Sequence, residues 1–434
     1  MVDRVREIAL KALYNIDKEE SYSNIELDRE IKNNKNILTE KDVGLISEIV
    51  YGVTSWKLTL DEIIKKYSKV KLKKISIWIL NILRMGIYQI IFLDKIPKSA
   101  AVNESVNLAK KYGHNASANF VNAILRKVEK KDYLDLFNID NNIERISKTT
   151  SMPEWIVEAL LENNSIDKVE ETCKNLNLKP KTSIRINKFK ISKEGFIEEL
   201  KNRKIKYEET QLEDFLVLNK IKNLENLDLF KKGYFTIQDI AAGLTAIVLS
   251  PKKNDNVLDA CSAPGGKTTY MAELMQNEGY IEAWDIHEHR IRLVEENQKR
   301  LGIDIIKAKI NDALIYKEEY FEKFDKILLD VPCSGIGVIK RKPDIKWHRS
   351  VDDIDEINEI QRNILLNCSR YLKSGGELVY STCSILKKEN EDIIERFLNM
   401  NSDFEKIEIN KQPYLSIKPS EKKDGFFICK LRKK

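Results

Sequence analysis

Five short apolar runs between residues 255 and 381 constrain the fold of this chain more than any other feature. Each run has the length of a buried strand, and a helix-like stretch follows each of the first four. The runs are DNVLD (255–259), YIEAWD (280–285), IDIIKA (303–308), DKILLD (325–330) and GELVYS (376–381). Because strands that alternate with helices form parallel βαβ units, we predict an α/β domain with a Rossmann-like sheet over residues 226–434.

The first 135 residues have a different pattern. Apolar side chains recur there at three- and four-residue spacing, and no strand-like alternation interrupts them. Thr39 begins one predicted helix with the capping sequence TEKD, and Gly113 is predicted to end another helix in the left-handed conformation. Residues 1–135 are therefore predicted to form an all-α bundle.

The apolar segment 75–93 has two interpretations, a membrane span and a core helix. A span would place Arg84 near the bilayer centre at a cost of about 2.5–3.5 kcal/mol, and Asn81 and Gln89 add further polar groups. We therefore predict a buried helix of the bundle. The charged N-terminal sequence also lacks the apolar core of a signal peptide, so a cytoplasmic location without membrane contact is predicted.

Both kinds of pattern occur between residues 140 and 225. The stretch KTSIRINKFKIS (181–192) alternates like a strand, with Arg185 and Asn187 as its polar members, and GFIEELKNRKI (195–205) follows as an amphipathic helix. A small α+β connector module is predicted here. The chain is thus predicted to be multidomain, with domains at 1–135, 140–225 and 226–434.

Composition limits the kinds of partner and site. The net charge of +6 lies in the first 150 residues, which hold 26 Lys and Arg against 20 Asp and Glu, and this excess is compatible with a polyanionic partner. The six cysteines form no C-x-x-C pair and no zinc-type cluster with histidine, so neither a metal nor a disulfide framework is predicted. Three cysteines are expected to pack in cores, namely Cys173, Cys368 and Cys429.

The strongest motif is VLDACSAPGGKTTYMAELM (257–275), in which a predicted strand ends at Asp259 and a helix begins at Lys267. A phosphate-binding P-loop would need glycine where Cys261 stands, and the G-x-G-x-x-G dinucleotide pattern is also missing. The loop instead resembles the S-adenosylmethionine loop of Rossmann-like methyltransferases. Its predicted cofactor-binding residues are Cys261, Ser262, Ala263, Pro264, Gly265, Gly266 and Lys267.

Three carboxylates at successive strand ends support a nucleotide-like cofactor. Asp285 ends the second strand, where an acid can accept hydrogen bonds from both ribose hydroxyls. Asp312 follows the third strand, where it can accept from the adenine amino group, and Asp330 ends the fourth. One such acid would be explained by solubility, but three beside the glycine loop indicate a binding site.

Two thiols also follow predicted strands, Cys333 in DVPCSGIG and Cys383 in YSTCS. Parallel topology would bring both to the edge that carries the cofactor loop. A thiolate at that edge can add to C6 of a pyrimidine and make C5 nucleophilic, while a carboxyl such as Asp330 can hydrogen-bond the ring near N3. The chemistry alone leaves open which thiol attacks.

The motifs DACSAPGGKT, DVPCSGIG and YSTCS together resemble those of the RNA 5-methylcytosine methyltransferases of the NOL/NOP/Sun group. Matches to the same group are GYFTIQD (233–239), RKPDIKW (341–347) and DGFFICKL (424–431). The resemblance implies that Cys383 is the nucleophile and that Cys333 assists product release. Alanine is more usual in that group at Ser262 and Val331, and neither position carries a reacting group.

The helical stretches VNESVNLAKKYG (102–113) and NFVNAILRKV (119–128) resemble the RNA-binding domain of the NusB type. An unrelated bundle with a solvated basic face is the alternative. The two resemblances together cover nearly the whole chain, and in this combination the chain is similar to bacterial 16S rRNA cytosine-C5 methyltransferases. They imply a monomer that uses S-adenosylmethionine and acts on 16S rRNA, free or at an early stage of assembly.

RNA contacts are predicted for basic and aromatic side chains that suit phosphates and unstacked bases; a solvated charged loop is the alternative for those at 340–347. The predicted RNA-binding residues are Arg126, Arg185, Lys340, Arg341, Lys342, Lys346 and Trp347. Two other functions remain open. One is the same chemistry on tRNA, and the other is an RNA-binding factor whose methyltransferase half is inactive.

Overall fold

The computed structural model describes residues 2–219 and 224–434. Residues 220–223, which the predicted connector includes, lie outside the described residues. Backbone packing divides the chain into a helical unit, Met1–Asn177 with Ile339–Arg349, and a sheet unit, Leu178–Val338 with Ser350–Lys434. Within the described ranges, we find no helix whose length and apolar character would let it cross a membrane.

The helical unit is built around one apolar core to which residues such as Ile46, Leu83 and Leu125 contribute. Its helices before Asn177 are α1 (Arg4–Glu19), α2 (Ser23–Asn33), α3 (Glu40–Tyr67), α4 (Ile77–Phe92), α5 (Lys98–Tyr112), α6 (Asn115–Leu125), α7 (Lys131–Asp135), α8 (Asn142–Thr150), α9 (Glu154–Leu161) and α10 (Ile166–Asn175). The all-α character predicted for residues 1–135 is confirmed. Helices α8–α10, from the predicted connector, pack in the same unit.

The apolar segment 75–93 forms α4, a core helix as predicted. Arg84 is buried in it, and its guanidinium donates hydrogen bonds to both carboxylate oxygens of Asp61 (2.7 and 2.8 Å) and to Asp17 (2.7 Å). Two carboxylates therefore satisfy the charge that made a membrane span costly. A buried cation is tolerated when it is paired and hydrogen-bonded in this way.

One predicted helix end is confirmed and another is wrong in detail. Thr39 caps α3, because its hydroxyl accepts from the Asp42 N–H and the Asp42 carboxylate accepts from the Thr39 N–H. Helix α5 ends before Gly113 as expected, but Gly113 has a φ of −138°, which is not left-handed. A Cβ at Gly113 would lie 3.0 Å from Ile79 Cδ1. Close packing, and not a positive φ, explains this glycine.

The sheet unit begins with a small antiparallel sheet in the order β2-β3-β1-β4. Its strands are β1 (Thr182–Ile186), β2 (Tyr207–Glu209), β3 (Phe215–Leu218) and β4 (Phe235–Ile237), with α11 (Lys193–Asn202) and α12 (Asp228–Lys231) between them. The strand predicted around Arg185 and the amphipathic helix after it are therefore confirmed. The last strand lies beyond residue 225, and the predicted domain limits stay a prediction.

A second, larger sheet follows, in the order β10-β12-β9-β8-β5-β6-β7, with β11 paired to β12. Its strands are β5 (Asn256–Asp259), β6 (Tyr280–Asp285), β7 (Ile306–Ile310), β8 (Phe324–Asp330), β9 (Leu372–Thr382), β10 (Phe404–Ile407), β11 (Leu415–Ile417) and β12 (Phe426–Lys433). The five predicted strands are parallel neighbours. The last three strands pair antiparallel at one side, so the sheet is mixed.

Helices cover the large sheet, and alternate strand residues feed cores on its two faces. The helices are α13 (Ile240–Leu249), α14 (Gly266–Leu274), α15 (Glu288–Leu301), α17 (Val351–Ser369) and α18 (Glu391–Met400); α16 (Ile345–His348) belongs to the helical unit. Val257 and Leu328 lie in one core, whereas the next residues, Leu258 and Leu329, lie in the other. This alternation is the period of two that a strand imposes.

The connection between β7 and β8 differs from the prediction of a helix after each of the first four strands. Among its residues only Glu318–Tyr320 form a helical turn, and that turn is of the 3-10 type. Tyr320 is buried there against Trp284, with ring centroids 4.9 Å apart, and against Tyr371. A segment of turns with the buried side chain of Tyr320 therefore covers this part of the sheet, where a longer helix was expected.

Candidate active site

The carboxyl ends of the five parallel strands place the predicted site residues in a row. Sheet order runs β9-β8-β5-β6-β7, and the residues that follow these strands are, in the same order, Cys383, Cys333, the loop 260–265, the Asp285 end of β6 and Asp312. The chain order reverses between β8 and β6 around β5, and such a switch point is where open α/β sheets bind ligands. The predicted shared edge is therefore confirmed.

The loop after β5 turns tightly into α14. Gly265 has a φ of 95°, and a Cβ there would lie 3.2 Å from Val294 Cα, so glycine is required by conformation and by space. The Gly265 N–H donates to the Ser262 carbonyl at 2.7 Å. The Ser262 hydroxyl and N–H both donate to the Trp284 carbonyl, at 2.9 and 2.8 Å. These bonds fix the loop against β6.

The other loop residues have distinct positions. Pro264 is exposed, Ala263 and Gly266 are half-buried, and Cys261 packs partly in a core. Burial holds the pKa of the Cys261 thiol well above its ordinary value, so this cysteine stays protonated. Its protonated state argues against a nucleophilic role for Cys261, and its contact with the cofactor stays a prediction.

Asp259, at the end of β5, is buried and accepts a 2.7 Å hydrogen bond from the Thr268 hydroxyl on one oxygen. Its other oxygen, Oδ1, is buried without a partner. Burial, with the nearby Asp330 charge, raises the pKa of Asp259 to about 7. An unpartnered buried oxygen is costly unless a ligand or water satisfies it, which indicates that a polar ligand belongs beside this loop.

Arg185, which was predicted to contact RNA, is buried on β1 and bonds to the beginning of α14. Its guanidinium donates to the Gly266 carbonyl (2.8 Å), to the Gln238 side chain, and to Glu273 (2.8 Å). The ring of Tyr270 lies 4.5 Å from the guanidinium carbon. This burial argues against an RNA contact, and Arg185 instead supports the cofactor loop from the adjoining sheet.

The acids at the ends of β6 and β7 are both present at the edge. Asp285 is nearly buried, accepts from the His287 N–H at 3.0 Å and lies 3.2 Å from the Arg290 guanidinium. Asp312 is half-buried and accepts from the Leu314 N–H at 2.9 Å. Beside it, the amide nitrogen of Asn311 is buried without a partner. Sequence reasoning missed Asn311, for which only its place after a strand was a signal.

Asp330, at the end of β8, is held by two donors. Lys267 donates to one carboxylate oxygen at 2.6 Å and the Ser381 hydroxyl to the other at 2.9 Å. Burial opposes a charge on Lys267, but the Asp330 carboxylate outweighs this effect and raises the pKa of Lys267. Cys383 adds to the same electrostatic environment. The first residue of the helix pattern and the strand-end acid therefore form one ion pair at the edge.

The two predicted catalytic thiols lie together, with their sulfur atoms 3.2 Å apart. Two effects raise the pKa of Cys333 well above its ordinary value: the hydrogen bond with Cys383, which is the larger, and burial. Cys333 is therefore protonated, and its sulfur lies within hydrogen-bond distance of the Cys383 sulfur. Because a thiolate is the nucleophilic form of cysteine, two thiols in contact at this edge can supply an attacking sulfur and a second group beside it, and the role of each thiol stays a prediction.

Three backbone segments meet beside the thiols. The Gly337 N–H donates to the Cys383 carbonyl and the Gly425 N–H to the Gly337 carbonyl, both at 2.9 Å. A Cβ at Gly337 would lie 2.2 Å from the Gly425 carbonyl oxygen. Only glycine allows this approach, which explains Gly337 in the motif DVPCSGIG and Gly425 in the motif DGFFICKL.

The remaining residues that were predicted to contact RNA lie in the helical unit, and several are buried. Lys346 is 1% exposed, and its ammonium donates to the carbonyls of Ser55 and Ser151 and to the Asn177 side chain. Trp347 donates to the Thr54 carbonyl at 2.8 Å. Burial argues against an RNA contact for Lys346. Of the others, Lys340 is buried, Arg341 is half-buried, and Lys342 and Arg126 are exposed.

The residues present fit S-adenosylmethionine. The loop at Gly265 lets a ligand approach the backbone, two carboxylates lie at the neighbouring strand ends, and the buried atoms Asp259 Oδ1 and Asn311 Nδ2 lack partners. An acceptor and a donor of this kind suit a ligand with both an ammonium and a base. Among the described residues, no cluster of three or more His, Cys, Asp or Glu could hold a metal ion.

Family models match three segments of the chain. They are the NusB family at residues 3–130, the Methyltr_RsmF/B-like ferredoxin-like domain at 152–225, and the 16S rRNA methyltransferase RsmB/F at 246–432. These matches confirm the predicted fold class, a NusB-like helical domain followed by a small α+β module and a methyltransferase domain.

Individual relatives match over the full length. The chain is 36% identical over 444 residues to a protein of Bacillus subtilis named probable ribosomal RNA small subunit methyltransferase B, with 99% of each chain covered. It is 32% identical over 438 residues to the ribosomal RNA small subunit methyltransferase B of Shewanella oneidensis, again with 99% of each covered. The crystal structure of PH0851 matches with a TM-score of 0.82 at 26% identity, covering 100% of both chains.

Proposed function

The chain belongs to the RsmB/F family of S-adenosylmethionine-dependent 16S rRNA methyltransferases, and on this premise we propose that it methylates carbon 5 of a cytosine. The observation that carries the proposal is the pair of thiols 3.2 Å apart beside the Lys267–Asp330 ion pair. A thiol at this edge is needed for carbon-5 chemistry, because C5 of cytosine is a poor nucleophile until C6 carries an added group. Methylation of an exocyclic nitrogen or a ribose oxygen needs no such thiol.

The cofactor is proposed to lie along the loop after β5. Gly265 and Gly266 would admit its amino-acid end, the Asp285 carboxylate would accept from the ribose hydroxyls, and Asp312 would accept from the adenine amino group. When bound, S-adenosylmethionine supplies an electrophilic methyl group. Binding of its polar groups would also satisfy the Asp259 and Asn311 atoms that lack partners.

The first step is attack by the Cys383 thiolate on C6 of the cytosine. A carbon–sulfur bond forms as the C5–C6 double bond breaks, and the electron pair moves toward C5 and N3. The Lys267 ammonium lies in the electrostatic environment of this sulfur and would offset the negative charge that develops at the edge during the attack. The Asp330 carboxylate would orient the ring by accepting a hydrogen bond from the exocyclic amino group next to N3, and Lys267 and Ser381 hold that carboxylate in place.

Release requires loss of the C5 proton and cleavage of the bond from Cys383 to C6. Cys333 is proposed to return its proton to the Cys383 sulfur as that bond breaks and to take up the C5 proton in exchange. The 3.2 Å separation of the sulfurs and the protonated state of Cys333 support this exchange. Both cysteines are then thiols and the aromatic C5–C6 bond is restored. Release of one proton from Cys383 to solvent regenerates the attacking thiolate, so each turnover releases the proton that C5 has lost.

The substrate is proposed to be a single-stranded or flipped-out cytosine in 16S rRNA, because a base within a helix cannot reach a thiol at a sheet edge. Arg126 and Lys342, which are exposed, remain candidates for phosphate contacts. A monomer and a cytoplasmic location remain predictions that are compatible with this substrate.

Substitution of the two cysteines tests the mechanism. We expect Cys383→Ala to abolish methyl transfer from labelled S-adenosylmethionine, and Cys333→Ala to accumulate a protein–RNA adduct that survives denaturation. Cys368→Ala is the matched control, because Cys368 is buried in the core of the same unit. Full activity in Cys383→Ala would overturn the assignment of the nucleophile.

The substrate is tested separately. Transcripts of 16S rRNA and of tRNA are incubated with the protein and S-adenosylmethionine, and bisulfite sequencing locates each methylated cytosine. Conversion of one cytosine in 16S rRNA, and none in tRNA, is the expected result. Methylation confined to tRNA would show that the same chemistry acts on tRNA and would overturn 16S rRNA as the substrate.

A further inference from the structure

Glu389 is a buried carboxylate beneath the two thiols that the mechanism does not use. It lies in the run KKENED (387–392), whose composition is typical of a solvated surface. The structure instead places Glu389 in a short 3-10 turn with no solvent exposure. A carboxylate is almost never buried without partners, so its contacts indicate what it does.

The Glu389 carboxylate accepts hydrogen bonds from the residue after each thiol. The N–H and the hydroxyl of Ser334 donate to its two oxygens, at 2.7 and 2.6 Å, and Ser334 follows Cys333. The hydroxyl of Ser384 donates to the same carboxylate, and Ser384 follows Cys383. One side chain therefore joins the two loops that carry the reacting sulfurs.

Two further side chains close this network around Glu389. Gln361, on α17, donates to the Pro332 carbonyl at 2.8 Å and to the Glu389 carboxylate at 3.3 Å. The Tyr380 hydroxyl donates to the Glu389 carbonyl at 2.7 Å. The loop after β8, the loop after β9 and helix α17 thus share one buried acceptor.

We propose that Glu389 is a positioning residue that sets the separation of the Cys333 and Cys383 sulfurs. This inference rests on the proposed function for its catalytic meaning, although the geometry it describes is independent of the reaction. Hydrogen bonds to an ionised acceptor are shorter and stronger than neutral ones, which suits a clamp between loops from two strands. The exchange of a proton between the sulfurs needs contact distance, and a displacement of about 1 Å in an active site can cost about 100-fold in rate.

A trivalent arsenical measures the sulfur separation without any methyl transfer. Phenylarsine oxide forms two arsenic–sulfur bonds with a pair of adjacent thiols and loses its oxygen as water, so no oxidant or reductant is needed. We expect one equivalent to bind the wild-type protein tightly and to bind neither Cys333→Ala nor Cys383→Ala. Failure of the wild type to bind would overturn the close thiol pair and with it the clamp.

Glu389→Ala is the decisive variant. It is expected to bind phenylarsine oxide at least tenfold more weakly, and to lose at least tenfold in kcat for methyl transfer with little change in KM for RNA. Glu389→Gln keeps one acceptor oxygen, so its arsenical affinity and its kcat are expected to lie between those of the wild type and those of Glu389→Ala. Arsenical affinity equal to the wild type in Glu389→Ala would overturn the proposal.

Glu282→Ala is the matched control for loss of a buried carboxylate. Glu282 lies on β6 with no exposure and accepts from Trp284, Lys309 and Tyr280, away from the thiols. Its loss is expected to lower thermal stability and leave arsenical affinity unchanged; equal weakening in this control would overturn a specific role for Glu389. If Glu389→Ala does not fold, the double variant Ser334→Ala with Ser384→Ala replaces it, and undiminished arsenical affinity there would equally overturn the clamp.

The two proposals fail in different ways. Loss of arsenical binding in Glu389→Ala supports the clamp even when no cytosine is methylated by the wild type. Normal methylation by Glu389→Ala, together with normal arsenical binding, overturns the clamp and leaves the proposed function in place.

Discussion

Two lysines, half-buried Lys267 in the sheet unit and buried Lys346 in the helical unit, have opposite electrostatic environments. Lys267 in the sheet unit lies 2.6 Å from the Asp330 carboxylate. Among the described residues, Lys346 in the helical unit donates to neutral oxygens, those of Ser55, Ser151 and Asn177. The pKa of Lys267 is raised, whereas burial lowers the pKa of Lys346 to about 7. The presence of one carboxylate decides whether a buried ammonium remains charged.

The two lysines therefore have different roles: the charge of Lys267 serves the proposed reaction, whereas the amine of Lys346 serves packing. Lys267 holds a carboxylate in place and lies in the electrostatic environment of Cys383, so its charge has a use in the proposed reaction. Lys346 joins backbone carbonyls from α3 and from the end of α8 to α16, so its hydrogen bonds hold the segment 339–349 within the helical unit. Each role predicts a different result when the lysine is removed.

Replacement of Lys267 has the largest expected effect. Lys267→Met leaves Asp330 without its counter-charge and removes the cation near Cys383, so we expect methyl transfer to fall by about 100-fold or more. The rate of transfer from labelled S-adenosylmethionine to RNA measures this loss. Lys267→Arg, which keeps the charge with a different shape, is expected to retain part of the activity. Activity near the wild-type level in Lys267→Met would contradict the role of the ion pair.

Replacement of Lys346 is expected to affect stability and not RNA binding. Lys346→Met fills the same volume but removes three hydrogen bonds, at a cost of about 3 kcal/mol in the free energy of unfolding. Chemical denaturation measures this cost. The salt dependence of RNA affinity provides the discriminating control, because loss of a phosphate contact would reduce its slope by about one. A reduced slope with unchanged stability would restore the predicted RNA contact.

The sequence predicted the sheet edge well because the relevant signals are local. Each strand is an apolar run that ends in a polar residue, and the parallel order follows from the intervening helices. Those two facts alone bring Asp285, Asp330, Cys333 and Cys383 to one edge. The separation of the sulfurs needed the structure, since it depends on contacts across two strands. The proposed choice of the nucleophile comes from the family resemblance.

Burial of charged side chains was the part that the sequence could not indicate. Lys346 and Glu389 lie in stretches whose composition is typical of exposed surface, Arg185 is a polar member of an alternating strand, and all three are buried. Their partners are as far away in the chain as Glu273, Ser55 and Ser334. A local sequence pattern contains no information about such a distant partner. A charged side chain that is buried in the fold is therefore predicted, from sequence, to be solvated or to bind a ligand.

The pH dependence of stability has the smallest expected effect, but it measures the difference in protonation between Lys346 and Lys267 most directly. An unfolded lysine has a pKa of about 10.4, whereas that of folded Lys346 is about 7. Between these values the unfolded chain binds a proton that the folded chain does not, so the stability contributed by Lys346 rises with pH and is lost as pH falls toward 7. Lys267 stays protonated in both states across this range and contributes no slope. The difference in unfolding free energy between the wild type and Lys346→Met should therefore grow by up to about 2.5 kcal/mol from pH 7 to pH 9. A difference that is flat across this range would mean that Lys346 remains charged when buried, and the contrast with Lys267 would disappear.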